Sequence, residues 1–226
     1  MQQIRFTILH QKLKQEKGGN FAKIFCHCYF HWALAWSMWQ DYKNLYNDNE
    51  RIKLLNDCGS AFFLMVRESF NESIILTLTR LTDPCTSMGH ENMTLKQFEN
   101  ELDTDTANTE LQGLINDLNS KTEFARKIRN KQISHTDLLS IIDEDQRIEP
   151  PLYSQLEEAL DSANRVFQYV VRMVVNEEIL PKPGFDGKDA LFTLNMLYRG
   201  NEAFRTELSK GEPTIPPDWV MKDLNK

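Results

Sequence analysis

Seven aromatic side chains, Phe21, Phe25, Tyr29, Phe30, Trp32, Trp36 and Trp39, fall within one stretch, residues 21–39, that contains neither proline nor glycine. At helical spacing they spread apolar groups nearly all round the axis, and such a helix needs cover on more than one face. The stretch also carries Lys23, His27, His31 and Ser37, so it falls short of the ~20 predominantly apolar residues that a bilayer span requires. It reads as a buried helix or a subunit interface, and dimerisation is one way of supplying the cover.

The rest of the chain is punctuated as helices. Gly18, Gly19 and Asn20 separate a helical segment at 3–16 from the aromatic helix, expected at 21–46. A second long helix is expected over 49–82, with Phe62, Val66, Phe70, Ile74, Leu78 and Leu81 on one buried face. It stops at Asp83-Pro84, because proline lacks a donor and restricts the residue before it. Residues 85–93 read as a connecting loop. Thr94-Leu-Lys-Gln97 has the form of a capping box opening a short helix through Leu102. The next helix is expected from Thr109, with Leu111, Leu114, Ile115, Leu118, Ala125 and Ile128 as its apolar positions and Arg129 near its end. An acidic, proline-ended linker at 143–151 precedes a helix at 152–180, striped by Leu156, Leu160, Ala163, Phe167, Val170 and Val174. Pro181-Lys-Pro-Gly184 ends that helix. A last helix at 188–209 and a proline-rich tail follow, with Trp219 expected to dock on the body. No alternating run is long enough for a sheet. The expected fold is all-α: a helical bundle over 1–180, with 181–226 as a C-terminal helix and tail packed on the same domain.

With 226 residues, 41% hydrophobic and 26% charged, the chain is of ordinary globular composition and long enough to bury a sizeable core. Its formal charge of −7 does not suit non-specific attachment to nucleic acid, so an RNA-directed role requires a local basic patch. The start of the chain is mostly polar, without the pattern of a secretory signal, and Cys26, Cys28, Cys58 and Cys85 are too few for a disulfide scaffold. Free thiols and a cytoplasmic location are the expectation.

One segment stands out chemically. Lys121, Arg126, Lys127, Arg129 and Lys131 face a single acid, Glu123, a net of +4 within fifteen residues of an acidic chain. A two-fold dimer pairing these helices would double that charge. A structural reading competes, because cations in a last helical turn favour the helix dipole and its open carbonyls. Geometry also matters. In an ideal helix Arg129 and His135 would stand about 120° apart and roughly 9 Å along the axis, so they converge only through distortion or a partner subunit.

Arg129-Asn130, four intervening residues and His135 resemble the Arg-x(4–6)-His motif of the HEPN superfamily. The string Ile128-Arg-Asn-Lys-Gln-Ile-Ser-His-Thr-Asp137, with Ser73-Ile-Ile-Leu-Thr-Leu-Thr-Arg-Leu-Thr-Asp-Pro84 upstream, is similar to the abortive-infection, AbiU-like branch. The order of elements agrees too, and the resemblance covers roughly residues 20–180. It implies a HEPN-type helical bundle acting as a metal-independent endoribonuclease without a cofactor. It further implies a toxin or abortive-infection (antiphage defence) effector that works as a homodimer and is restrained by a cognate antitoxin protein. Arg129, Asn130 and His135 would be the catalytic set, and Arg126, Lys127 and Lys131 would hold the RNA substrate. HEPN toxins paired with a nucleotidyltransferase antitoxin often carry a Tyr two residues after the His; Asp137 stands there, so that mode of silencing does not carry over.

Other constellations favour structural roles. Cys26 and Cys28 point about 200° apart on a helix and cannot share an ion, whereas His27 and His31 share a face. Arg80 and Asp83 read first as an intrahelical ion pair, and second as groups beside the motif. Glu68 and Glu72 read as a solvated pair. Two alternatives to the nuclease stay open: a catalytically silent HEPN-like module that binds RNA, nucleotide or protein, and a plain helical dimerisation protein.

Overall fold

A computed structural model describes residues 2–99, 102, 105–133, 149–176 and 188–211, with the backbone alone for 2–6 and 188. Among them the fold is all-α. The helices are α1 (Gln2–Lys17), α2 (Gly19–Tyr46), α3 (Asn49–Leu81), α4 (Asp105–Lys121), α5 (Glu123–Ile128), α6 (Tyr153–Val175) and α7 (Lys188–Lys210). Residues 85–93, expected as a plain loop, hold a minimal antiparallel ribbon, β1 (Thr86–Ser87) paired with β2 (His90–Glu91). Its two turn residues, Met88 and Gly89, both have positive φ, which a two-residue hairpin favours. No helix among the described residues is long and apolar enough to cross a membrane.

The chain divides into two compact units. The first comprises Met1–Gln40 and Glu68–Asp186, and its core is built on the aromatic helix. Phe25, Trp32 and Trp39 are fully buried, and Phe21, Tyr29 and Trp36 are nearly so. The cover comes from within the chain. Phe167 of α6 lies 5.4–5.8 Å, ring to ring, from Phe25, Tyr29 and Trp32. Phe98 packs on Phe21 and Phe25 at 5.3 and 5.8 Å. Trp32 donates its indole N–H to the Leu160 carbonyl at 2.9 Å, so the polar atom of this ring is satisfied in the core. Dimerisation is therefore not needed to cover this helix; only Phe30 of the seven aromatics is exposed.

Helix α6 buries Leu156, Leu160, Ala163, Phe167 and Val170 as its periodicity requires, with Val174 half-buried. It ends five residues before the expected boundary, at Asn176 in the left-handed conformation (φ 51°), a conformation that asparagine tolerates at a helix end. Tyr169 donates to the Ala107 carbonyl at 3.0 Å and ties α6 to α4. Helix α4 starts at Asp105 rather than Thr109, and it buries Ala107, Leu111, Ile115 and Leu118. The Thr94 motif opens only a 3-10 turn, Leu95–Phe98. Gln97 donates its side chain to the Asn92 carbonyl instead of closing a capping box.

The second unit comprises Asp41–Arg67 and Gly187–Lys226. Leu45, Tyr46, Leu55, Ala190 and Leu194 are buried in it. The Tyr46 hydroxyl donates to the Phe63 carbonyl at 2.7 Å, and Arg205 pairs with Asp57 at 2.7 Å. Helix α3 is broken at Gly59. Its expected stripe holds only in part: Ile74, Leu78 and Leu81 are buried, Val66 and Phe70 are half-buried, and Phe62 is 59% exposed. The Pro181–Gly184 stretch and Trp219 lie outside the described residues.

Candidate functional site

The site is assembled where the end of α3 meets the start of α5. Helix α4 does not run through to Arg129 as the periodicity suggests. It stops at Lys121, and a buried Thr122 starts α5. The Thr122 hydroxyl donates to the Leu118 carbonyl at 2.9 Å and lies 3.4 Å from the Thr82 hydroxyl. Arg126 closes the same junction. Its guanidinium donates to the Thr82 carbonyl at 3.1 Å and to the Asn119 side-chain and main-chain oxygens at 2.8 and 3.3 Å. One cation thus satisfies a carbonyl just beyond α3 and a second at the end of α4, both left open by helix termination.

Beyond α5 the chain widens into a π turn, Arg129–Ile133, a local form often found at functional positions. Through Ile133 the chain therefore departs from the ideal helix. Arg129 donates from Nη1 to both Asp83 oxygens at 2.9 and 3.2 Å, and from Nε to Asn130 Oδ1 at 3.1 Å. Arg129 and Asp83 are each about a quarter exposed, at 26% and 25%. The ion pair expected between Arg80 and Asp83 is thus replaced by one reaching 46 residues along the chain. The reason is that α3 ends at Leu81, which puts Asp83 beyond the helical geometry that an i,i+3 pair needs. Asn130, exposed, steadies Arg129. His135 and Asp137 lie outside the described residues.

The fold sets more negative charge against the basic segment than the sequence window counted. Lys121 pairs with Asp117 at 2.8 Å, Lys127 with Glu123 at 3.7 Å and Arg129 with Asp83 at 2.9 Å. Asp117 is a node that the sequence reading missed. It also accepts from Ser162 and Arg165 of α6, each at 2.8 Å. Burial opposes its ionisation, but the bonds from Lys121 and Ser162 and the charges of Lys121 and Arg165 outweigh that, holding its pKa below the ordinary carboxylate value. No single segment announces this node, because its members lie 45 residues apart.

A second feature adjoins the site. A cleft of ≈ 310 Å³ is lined by residues of α2, of α3 and just beyond its end, and of the segment after the ribbon, among them His27, His31, Arg80 and Asp83. His27 and His31 do share a face, with ring centroids 4.4 Å apart. Cys28 is buried behind them, and burial pushes its thiol up to about 12; Cys26 is raised by the same cause to about 11. Neither thiol is a nucleophile near neutral pH. Among the described residues no cluster of three or more His, Cys, Asp or Glu side chains is arranged to hold a metal ion.

The resemblance implied an all-α bundle with a long helix ending at Asp-Pro, a loop and a further helix; the described residues are all-α, α3 stops just before Asp83-Pro84, and a short ribbon stands where the loop was expected. The family model HEPN AbiU2 matches residues 21–178, and the chain belongs to that family. Comparison with curated proteins gives no match, and neither does comparison with solved structures.

Proposed function

We propose that the protein is a metal-independent endoribonuclease that acts in the cytoplasm as a toxin or abortive-infection effector. The observation that carries this reading is Arg129. Its guanidinium is anchored by Asp83 and Asn130 in a π turn whose last residue, Ile133, stands two positions before His135 in the sequence, in a chain of the HEPN AbiU2 family. Those anchoring bonds use Nε and Nη1; the proposed role calls on Nη2, which would meet a non-bridging phosphate oxygen and stabilise charge on the phosphorane.

The reaction runs through His135, an imidazole whose ordinary pKa of about 6.5 suits proton transfer near neutral pH. One His135 takes the proton of a ribose 2′-hydroxyl. The 2′-oxygen attacks phosphorus, the bond to the 5′-oxygen breaks, and that oxygen receives a proton from the second His135 of a homodimer. The products are a 2′,3′-cyclic phosphate and a 5′-hydroxyl. Arg126, Lys127 and Lys131 would contact flanking phosphates, and a cognate antitoxin protein would restrain the activity.

The test is cleavage of labelled RNA in the presence of EDTA by the wild type and by His135→Ala and Arg129→Ala. Cleavage that resists the chelator and disappears in both variants, with the fold unchanged, supports the reading. A second reading, a silent RNA-binding module, is favoured by one observation: Asp83 already neutralises Arg129. Binding of RNA without cleavage, unaffected by His135→Ala, would select it.

A further inference from the structure

The His27–His31 cleft is not used by the proposed chemistry. Its charged and titratable lining is His27, Cys28 and His31 from α2, with Arg80 at the end of α3 and Asp83 just beyond it. Cys28, its thiol raised to about 12, stays neutral. Asp83 is the one carboxylate among these lining groups, and its charge is taken by Arg129 at 2.9 Å. What remains is an exposed arginine beside two imidazoles 4.4 Å apart. Two imidazoles at that separation cannot both hold protons cheaply unless an anion lies between or beside them. Burial, then His27, then Arg80 push the His31 pKa below its ordinary value. Thr77 and Asn92 add neutral hydrogen-bonding groups to the wall.

We propose that this cleft is a phosphate-binding subsite in which His27, His31 and Arg80 grip the phosphate of a nucleotide or of an RNA backbone. A phosphate oxygen accepts from protonated imidazole and from guanidinium alike. Its charge relieves the repulsion among the three groups, so binding takes up protons. Because Asp83 lines the cleft and also anchors Arg129, an occupied cleft and the motif would share one carboxylate. Placing the RNA backbone in it rests on the nuclease reading above; the affinity for phosphate does not.

The chain's five histidines provide separate reporters in one NMR spectrum. His27 and His31 report the cleft, His135 reports the motif, and His10 and His90 serve as references. The full chain is titrated with inorganic pyrophosphate, a nucleoside 5′-diphosphate, and a short 2′-O-methyl RNA that lacks the attacking hydroxyl. The His27 and His31 signals are expected to move saturably with pyrophosphate. Affinity should fall about tenfold or more in Arg80→Gln and in His31→Gln, and should weaken as pH rises from about 6 to about 8. Arg80 is exposed, so its variant tests binding without disturbing the core. Saturation at lower concentration by the RNA assigns the subsite to the backbone; the reverse order assigns it to a free nucleotide. Stationary His27 and His31 signals up to about 10 mM pyrophosphate, or unchanged affinity in both variants, overturn the proposal. If His135 alone responds to RNA, the subsite fails while the nuclease reading stands. If His27 and His31 respond and the wild type never cleaves RNA, the subsite survives and the nuclease reading falls.

Discussion

Removing the Asp83 carboxylate should loosen Arg129, the arginine proposed to be catalytic, and the protein together. Exposed ion pairs contribute ~0.2–1 kcal/mol, and hydrogen bonds to charged groups ~1.5–3 kcal/mol when shielded. The Arg129–Asp83 pair has two oxygens within reach at 2.9 and 3.2 Å and about a quarter of each side chain exposed, at 26% and 25%. It falls between those limits, at about 1–2 kcal/mol of coupling. For a chain of this size ~1 kcal/mol moves Tm by about 2–4 °C, so Asp83→Ala should melt about 2–8 °C lower. The assay is a double-mutant cycle of Asp83→Ala with Arg129→Ala, followed by urea unfolding and tryptophan fluorescence. Trp32, Trp36 and Trp39 all lie in the unit that holds the pair. The functional arm is RNA cleavage, expected to fall about ten- to hundredfold in Asp83→Ala, because a displaced catalytic group loses rate steeply. A coupling energy below about 0.3 kcal/mol, within the additivity error of such cycles, would refute the claim that the pair is maintained in solution. Cleavage that is unchanged or faster in Asp83→Ala would refute the claim that the carboxylate positions Arg129.

Four further outcomes are expected. Phe167→Ala, at a fully buried ring in contact with three aromatics of α2, should cost about 3–5 kcal/mol in chemical denaturation. Arg126→Ala should lose about 1–3 kcal/mol, since its guanidinium holds Thr82 and Asn119. Lys127→Ala, two-thirds exposed at 67%, should leave stability within about 0.5 kcal/mol and lower the salt dependence of RNA binding by about one phosphate contact. Asp117 has a folded pKa below its unfolded value, so its contribution is present above about pH 3.9 and is lost as pH falls through the folded pKa. The urea midpoint should drop on acidification below about pH 4, less steeply in Asp117→Asn; equal slopes would contradict that assignment.

The helices were legible where the chain itself carries the signal. Gly18–Gly19, the Asp83-Pro84 stop and the stripe of α6 are local patterns, and the elements they imply are present. The misses share a cause in contacts between distant residues. Thr122 and Arg126 break the expected helix because both face Thr82, 40 and 44 residues away. Asp83 finds Arg129 for the same reason. The need to bury the aromatic helix was readable, but its cover was not, since Phe98 and Phe167 lie far along the chain. On the first half of α3 an apolar repeat suggested a buried face, yet Phe62 is exposed: periodicity says which residues share a face, not what lies against it. At the motif the residues were named from a resemblance, and what the fold adds is the carboxylate that holds one of them.

The internal covering of the aromatic helix has a consequence for how the proposed activity would be governed. A subunit that completes its own hydrophobic interior can persist singly after synthesis, whereas obligate dimers often have no stable folded protomer. Self-association then becomes a matter of dose. If cleavage requires two copies, dilute cells carry a dormant pool, and potency climbs with the square of abundance. Any agent that captures lone copies, or releases them, governs the output without having to unfold anything.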